Sequence, residues 1–366
     1  MARNRIIYQS EALYAGPSPA SGNHFSSGNT GTNLVNQLQR IQSANYSFNI
    51  ARQDVNQFGE LAAIDRVILE SPTVSLDFSY LLNSFGNEEI LGFGPLDNNI
   101  TSCISGMLNK TSDERNYFIR TVSEGTDALG VGTGAADQNV IGIGNGFITS
   151  YSTEGSVGNF PTVTVNVEAL NMSFDAGVTG NHIPAVLPTD GSKITGVQYA
   201  LDAVVSSAVT GASGVSALRP GDITVDISAY NGGGVKVSDA KIQSYTLSFD
   251  LARDPLQKLG SKFAFAREIQ FPVTVSMSVQ ALLGDLTTGN LSDIITADSN
   301  YDLSVALKHP TTSAVQAKYF LKRAKLDSQE FSSSIGDNKS VTLNFSTQIG
   351  GPSQTDRGLF MSGVKD

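Results

Sequence analysis

The 366-residue sequence has few of the residues from which disulfides, metal sites and catalytic centres are usually built. It has one cysteine, Cys103, and three histidines, His24, His182 and His309, which lie far apart along the chain. One cysteine cannot form an intrachain disulfide, and paired metal ligands normally come at short spacings. We therefore expect no disulfide, metal or cofactor, a buried structural role for Cys103 and surface positions for the histidines.

Two glycine-rich stretches, residues 130–134 and 142–146, resemble phosphate-binding loops only in composition. A dinucleotide fingerprint needs a strand before it and a helix after it, and a P-loop needs Gly-Lys-Ser/Thr. Neither context is present, so we interpret both stretches as flexible loops. Scattered carboxylates leave open an acid/base pair that forms only in the folded chain. Because no catalytic motif is present, we expect that the chain is not an enzyme.

Charged residues make up only 16% of the chain, against roughly 25% in an average globular protein. The formal net charge is −10, and no basic stripe is visible of the kind with which duplex-DNA binders neutralise phosphates. The N-terminal residues lack the apolar region of a signal peptide, and no apolar run approaches the length of a membrane span. We expect synthesis in the cytoplasm, no membrane contact and no tight binding of DNA.

An internal repeat is the strongest pattern in the sequence. Residues 41–82 align without a gap with residues 242–283, with 16 identities in 42 positions. Residues 156–167 then align, in the same order, with residues 334–345. Chance would give about three identities in the first block at ordinary residue frequencies. We infer a tandem duplication whose first copy has 23 extra residues between the two blocks.

Strict alternation of apolar and polar residues predicts strands in both copies. Val273, Val275 and Val279 point one way, while Thr274 and Ser276 point the other. Such segments predict an all-β fold, β-rich with short helices, which consists of two tandem homologous β-sandwich or barrel domains.

Short helices are expected between some of the strands. Apolar residues at i and i+3 precede Gly59 in the first copy and Gly260 in the second, which predicts one helical turn in each copy. Residues 197–208 also fit one helical face, although their valines leave a strand open.

The composition of the chain also predicts its domain boundaries. We predict a first domain over residues 1–177, which includes a Gly/Ser-rich N-terminal arm and an inserted Gly-rich loop. A linker over residues 178–190 and a second domain over residues 191–366 follow.

Four duplicated polar positions are candidates for a subunit interface. Arg52 and Arg253 follow equivalent strands, and Asn49 and Asp250 occupy equivalent positions within those strands. Arginine is enriched at protein interfaces. An arginine that hydrogen-bonds the adjacent turn of its own domain fits the pattern equally well, and edge polarity also explains Asn49 and Asp250.

Residues 42–59, 74–78 and 334–345 resemble the strand–helix–strand layout of bacteriophage tail tube proteins. The resemblance extends over residues 38–167 and 238–348, and it lies in the layout rather than in an invariant motif. It implies a structural virion protein of the phage tail, a major tail protein whose stacked rings form the conduit for DNA.

The resemblance also implies an assembly. Rings in that family contain six tube domains, so two tandem domains per chain imply a homotrimeric ring with pseudo-sixfold symmetry. DNA would pass transiently through an acidic lumen without tight binding. The arm near residues 16–33 and the insertion near residues 120–146 would contact neighbouring rings or lie on the outer surface.

Two other classes stay open. One is another ring-forming tail component, such as a terminator or a baseplate ring protein. The other is a non-viral carbohydrate-binding β-sandwich module, which would need exposed aromatic side chains for stacking on sugars. The sequence contains no tryptophan, which disfavours this second class.

Overall fold

The structure is a computed structural model of the chain. It describes residues 10–17, 35–94, 102–108, 113–128, 139–176, 179–194, 198–201, 217–229, 241–282, 299–333 and 338–364. These residues form a β-rich fold with few helices, which confirms the predicted all-β class.

Within its described residues, the first repeat contains ten strands and two short helices. They are β1 (Glu11–Pro17), β2 (Asn36–Gln37), β3 (Ile41–Asn49), β4 (Arg52–Val55), β5 (Asp65–Ile68), β6 (Thr73–Leu81), α1 (Gly86–Leu91), α2 (Ser105–Leu108), β7 (Arg115–Thr121), β8 (Asn139–Ser156), β9 (Thr162–Ala169) and β10 (Asn171–Ala176).

A connecting segment and the second repeat follow. Their strands are β11 (Thr179–His182), β12 (Gln198–Ala200), β13 (Ile223–Ala229), β14 (Lys241–Asp250), β15 (Arg253–Leu256), β16 (Ala266–Ile269), β17 (Val273–Leu282), β18 (Tyr301–Lys308), β19 (Val315–Ser332), β20 (Ser340–Ile349) and β21 (Gly358–Gly363).

One continuous antiparallel sheet, here called the main sheet, runs through both repeats. Its strand order is β3-β6-β9-β8-β14-β17-β20-β19. The first repeat contributes the first four strands, and the second repeat contributes the equivalent four in an equivalent order. The pairing of β8 with β14 joins the two halves.

A second layer covers one face of the main sheet in each repeat. In the first repeat, β7 and β10 pair with the N-terminal half of β8, and β1 pairs with the far edge of β7. In the second repeat, β18 and β21 pair with β19 in the same arrangement, and β13 pairs with β18. The 18-residue strands β8 and β19 therefore belong to both layers. Each has one residue in the left-handed region, Asn145 (φ 57°) and Arg323 (φ 53°), at equivalent positions.

The core lies between the layers and extends across both repeats. Alternate residues of the main sheet face it, such as Leu76 and Phe78 on β6 and Val275 and Met277 on β17, and all four are buried. Period-two patterning thus places one apolar face of eight strands in a shared core.

The helical turn predicted before each of Gly59 and Gly260 is wrong, because both segments form β-hairpins, β4–β5 and β15–β16. In the first hairpin the amide of Ile64 donates to the carbonyl of Val55 at 2.8 Å. The two glycines do reverse the chain, with φ of 96° and 85°. The apolar residues around them face solvent, so their i,i+3 spacing marked no helical face.

Residues 142–146, interpreted from sequence as a flexible loop, lie instead in the buried part of β8. A Cβ atom on Gly144 would lie 2.3 Å from the backbone of Pro184, and one on Gly146 would lie 2.8 Å from the ring of Tyr117. These glycines allow other segments to approach the strand closely.

Parts of three other predictions fall outside the described residues. They concern the loop at residues 130–134, residues 18–33 of the N-terminal arm and the helix over residues 197–208 beyond position 201. Within that last segment, residues 198–200 form β12 instead of helix. The predicted domain boundaries stay predictions.

Candidate assembly interface

The pairing of β8 with β14 is an extensive contact between the two repeats. It runs in register from Ser244 opposite Ser156 to Asp250 opposite Ser150. On its core face, Tyr245, Leu247 and Phe249 of β14 are buried. Phe249 packs on the ring of Tyr151 in β8, with centroids 5.4 Å apart.

Arg253 extends this contact beyond the end of β14. Its guanidinium forms an ion pair with Asp113, donates to the carbonyl of Ile148 at 3.2 Å and lies over the Phe147 ring at 5.0 Å. All three partners belong to the first repeat. Arg253 also donates to the carbonyl of Arg267 within its own hairpin at 2.9 Å. It thus combines a contact between repeats with a hydrogen bond inside its own hairpin.

The β15–β16 hairpin makes further contacts with the first repeat and with the connecting segment that follows it. Arg267 forms an ion pair with Glu168 of β9. The amides of Lys262 and Phe263 donate to the carbonyls of Thr189 and Pro188 at 3.2 and 3.1 Å. Sequence patterning could not have identified these partners, because each pair is separated by tens of residues and has no repeated local signal.

The equivalent surface of the first repeat is open in the single chain. Among the described strands, β3 pairs with β6 alone, so its other edge has no partner. Phe48 of β3 is equivalent to Phe249, yet its side chain is 59% exposed whereas that of Phe249 is 2% exposed. Edge strands with exposed apolar side chains are templates for pairing with another strand.

The matching open edge lies on β19, which is equivalent to β8. Residues 325–332 pair with β20 on one side. On the other side β18 reaches only residues 315–324, so residues 325–332 have no partner there among the described strands. This edge also presents an exposed aromatic side chain, Phe331. The two open edges are thus the unoccupied counterparts of the two strands that pair inside the chain.

The structure separates the four predicted interface residues. Arg253 and Asp250 lie at the contact between repeats, where Asp250 stands opposite Ser150. Asn49 and Arg52 lie at the end of the open β3 edge, and both are exposed. Arg52 donates to the carbonyl of Arg66 in its own hairpin, the equivalent of the bond from Arg253. Their role between subunits stays a prediction.

The hairpin tips are a second apolar surface. Phe58 and Leu61 in the first hairpin and Leu259 in the second are fully exposed. Ile64 and Phe265, at the neighbouring hairpin positions, are about half exposed. Several large apolar side chains exposed within one hairpin are typical of surfaces that contact another protein.

The face of the main sheet that points away from the core is lined with hydroxyl and amide groups, and we call it the hydroxyl face. Side chains bridge neighbouring strands on it in an equivalent way in the two repeats. Asn166 donates to Ser150 at 2.7 Å in the first repeat, and Asn344 donates to Ser328 at 2.8 Å in the second. Such cross-strand pairs stabilise the sheet and leave a polar surface.

The charges on the hydroxyl face are mainly negative. Besides Glu168 of β9, which is paired with Arg267, strand register places four carboxylates on it, from β6, β8, β14 and β19: Asp77, Glu154, Asp250 and Glu330. Its lysines lie at strand ends: Lys241 is the first residue of β14, and Lys325 is the first residue of β19 to pair with β20. The centre of this face is therefore acidic.

Cys103 and His309 lie in surroundings that give them structural contacts. Cys103 is a free, buried thiol whose pKa is raised by burial, which confirms its predicted position. His309 accepts from the amides of Thr311 and Thr312 in a turn. Among the described residues, no cluster of three or more His, Cys, Asp or Glu could hold a metal ion. No helix in that part of the chain has the length and hydropathy to cross a membrane.

No protein-family model and no curated protein matches the chain. One solved structure that the chain matches is the cryo-EM structure of the anti-feeding prophage baseplate, 6-fold symmetrised. The match has a TM-score of 0.26 and 11% sequence identity, and it covers 39% of this chain and 94% of that chain. Similarity at this level carries no argument about function.

Proposed function

We propose that the chain is a tail tube subunit of a bacteriophage, and that three copies close into a ring of six repeats that stack into a tube. The observation that carries this proposal is the occupied β14–β8 contact together with its two unoccupied counterparts, β3 and β19. A chain that already joins two of its repeats in this way has the same two edges available for joining further copies.

The repeat predicts the register between subunits. Within the chain, Phe249 of β14 stands opposite Tyr151 of β8. The equivalent residues are Phe48 of β3 and Gln329 of β19, so Phe48 would stand opposite Gln329 of the next chain. The same equivalence places Ser47 opposite Glu330. The contact would cover the exposed ring of Phe48 and continue the main sheet from one chain to the next. In a heterologous interface of this kind, rings close when the rotation per contact divides a full turn.

Stacking of the rings is supported by the hairpin tips. Phe58, Leu61 and Leu259 are fully exposed in a single chain, and pairing of the main-sheet edges involves other residues. Covering these side chains with a second ring would remove apolar surface from water. This favours a tube over the alternative of a ring-forming terminator or baseplate component that occurs as a single layer.

The hydroxyl face is our candidate for the tube lining. Its hydroxyl and amide groups would allow water to fill the lumen, and Asp77, Glu154, Asp250 and Glu330 would repel phosphates. DNA would then pass without being held, because tight binding requires phosphate neutralisation by basic groups. The protein has no catalytic role in this proposal, and its place would be the virion tail.

Negative-stain microscopy together with native mass measurement tests the proposal. We expect rings with a sixfold outline, a mass of three copies of the 38.6-kDa chain, and tubes at high concentration. Single rings that never stack would support the terminator or baseplate alternative. A monomer at all concentrations would contradict every ring-forming function.

A further inference from the structure

Glu88 is a fully buried carboxyl at the contact between the two repeats. It lies in α1, within a junction segment that consists of residues 83–94 and 102–108 of the first repeat. This segment also bonds to the second repeat: the amide of Phe85 donates to Val364 at 3.0 Å, and that of Cys103 donates to Leu359 at 2.9 Å.

A chain of tyrosine hydroxyl groups connects Glu88 to the second repeat. Tyr80 of β6 and Tyr151 of β8 donate to Glu88 Oε1 at 2.7 and 2.9 Å. The hydroxyl of Tyr151 also lies 2.6 Å from that of Tyr319 in β19. Since the one proton of Tyr151 goes to Glu88, Tyr319 is the donor in that pair. The other carboxyl oxygen, Glu88 Oε2, is buried and has no hydrogen-bond partner.

Among the described residues, no opposite charge lies in the surroundings of Glu88. The titratable groups that face it are Tyr80 from β6, Tyr151 from β8 and Tyr319 from β19, with Tyr245 of β14 next to Tyr319. Burial raises the pKa of Glu88 to about 7, and the hydrogen bonds from Tyr80 and Tyr151 partly offset this effect. A carboxylate buried with one unpartnered oxygen costs far more free energy than the neutral acid in the same place, because the charge as well as the polar group is desolvated.

We propose that Glu88 is a proton-controlled latch between the repeats: neutral Glu88 holds the junction segment closed on the second repeat, and loss of its proton to solvent favours opening of that segment. Once the segment is open, water solvates the carboxylate and its pKa returns towards the ordinary value for glutamate. This proposal rests on Glu88 and its neighbours, and it does not depend on ring or tube formation.

The size of the effect follows from the two states. Each pKa unit between the closed and open states is a tenfold change in their equilibrium, so the opening constant should rise on the order of a hundredfold between about pH 5 and pH 8. The direction is set by the raised pKa: the closed state is favoured most below the ordinary pKa of glutamate and loses this advantage as the pH rises towards 7.

Cys103 provides a built-in reporter, because it is the only cysteine, is buried, and lies in the junction segment. The full-length protein would be labelled with 4,4′-dithiodipyridine, which reacts with thiols at acidic and alkaline pH. The labelling rate of the wild type would be divided by that of Glu88→Gln at each pH, which cancels the titration of the thiol. We expect this ratio to rise on the order of a hundredfold from about pH 5 to pH 8.

Two variants make the test specific. Glu89→Gln, an equal charge change at the exposed neighbouring residue, should retain the wild-type pH profile. Tyr80→Phe removes a donor to the carboxylate, so it should move the midpoint of the profile to higher pH. A ratio that does not change with pH would overturn the proposal. If Glu88→Gln does not fold, the shift in Tyr80→Phe decides: an unchanged midpoint refutes the latch.

Discussion

Phe48 and Phe249 occupy the same position in the two repeats, but Phe249 is buried by the neighbouring repeat and Phe48 faces solvent. Both side chains lie on the core face of an equivalent strand, and each strand pairs with its own hairpin-linked neighbour, β6 or β17. The difference arises from the strand on the other side, which is β8 for Phe249 and absent for Phe48 among the described residues.

This difference predicts opposite consequences for two alanine substitutions. Phe249→Ala should lower the free energy of unfolding of the isolated subunit by about 3–5 kcal/mol, because it leaves a cavity in the core. Phe48→Ala should change it by less than about 1 kcal/mol, since the side chain is exposed, but it should weaken ring formation. Urea unfolding and native mass measurement would separate the two effects. Equal loss of subunit stability in both variants would contradict the assignment of Phe48 to an interface.

The arginines give a second matched pair. Arg253→Ala would leave the carboxylate of Asp113 without its ion-pair partner, at a site that is largely buried. Removing one member of a buried pair costs about 3–5 kcal/mol, which is the expected loss of subunit stability. Arg52→Ala removes an exposed side chain and should leave unfolding in urea unchanged. A large loss in Arg52→Ala would show that the two hairpins are held in the same way within the chain.

The repeats could be predicted from residue identities at a constant offset, and the strands and the all-β class from local alternation, which Val273–Val279 display directly. The β4–β5 and β15–β16 hairpins could not be predicted. The apolar residues before Gly59 have the spacing of a helical face, and the sequence does not show that their side chains are exposed. The strand at the glycines of β8 could not be predicted for a related reason. The segment at Pro184, which packs too closely for a side chain at Gly144, is about forty residues away in sequence.

The candidate interface was only partly predictable. The duplication predicts equivalent roles for Arg52 and Arg253, because the local sequences before them are closely similar. What distinguishes them is Asp113, which precedes Arg253 by 140 residues. The open edges of β3 and β19 are identified by comparison with β14 and β8, their equivalents, which pair with each other in the structure. The sequence carries no local mark of which strand lies at the end of a sheet.

The hairpin tips should control stacking and leave ring closure intact. We expect Leu61→Asp to prevent tubes while rings still form, because a carboxylate would be desolvated in the contact between rings. Glu60→Gln, in the same loop, serves as the control and should still form tubes. Electron microscopy of both variants at equal concentration measures the outcome. Normal tubes from Leu61→Asp would exclude this tip from the stacking contact.

Charge reversal on the hydroxyl face should convert a repelling surface into a binding one. We expect assembled rings of Asp77→Lys to bind duplex DNA with an affinity that falls steeply with salt, since binding releases counterions from the phosphates. Asp226→Lys makes the same charge change on β13, outside the main sheet, and should bind less. Fluorescence anisotropy at several salt concentrations compares them. Stronger binding by Asp226→Lys would place the DNA-facing surface elsewhere.

Disulfide trapping at the predicted subunit contact tests the central claim most directly. A chain with Ser47→Cys and Glu330→Cys should crosslink to its neighbours under mild oxidation, because the repeat places these residues opposite each other between chains. The control, Ser43→Cys with Glu330→Cys, is four residues out of register and should crosslink poorly. We predict a ladder of covalent species on a denaturing gel that ends at the trimer. A ladder that continues beyond three chains, or no crosslink in either variant, would contradict a closed ring of three subunits.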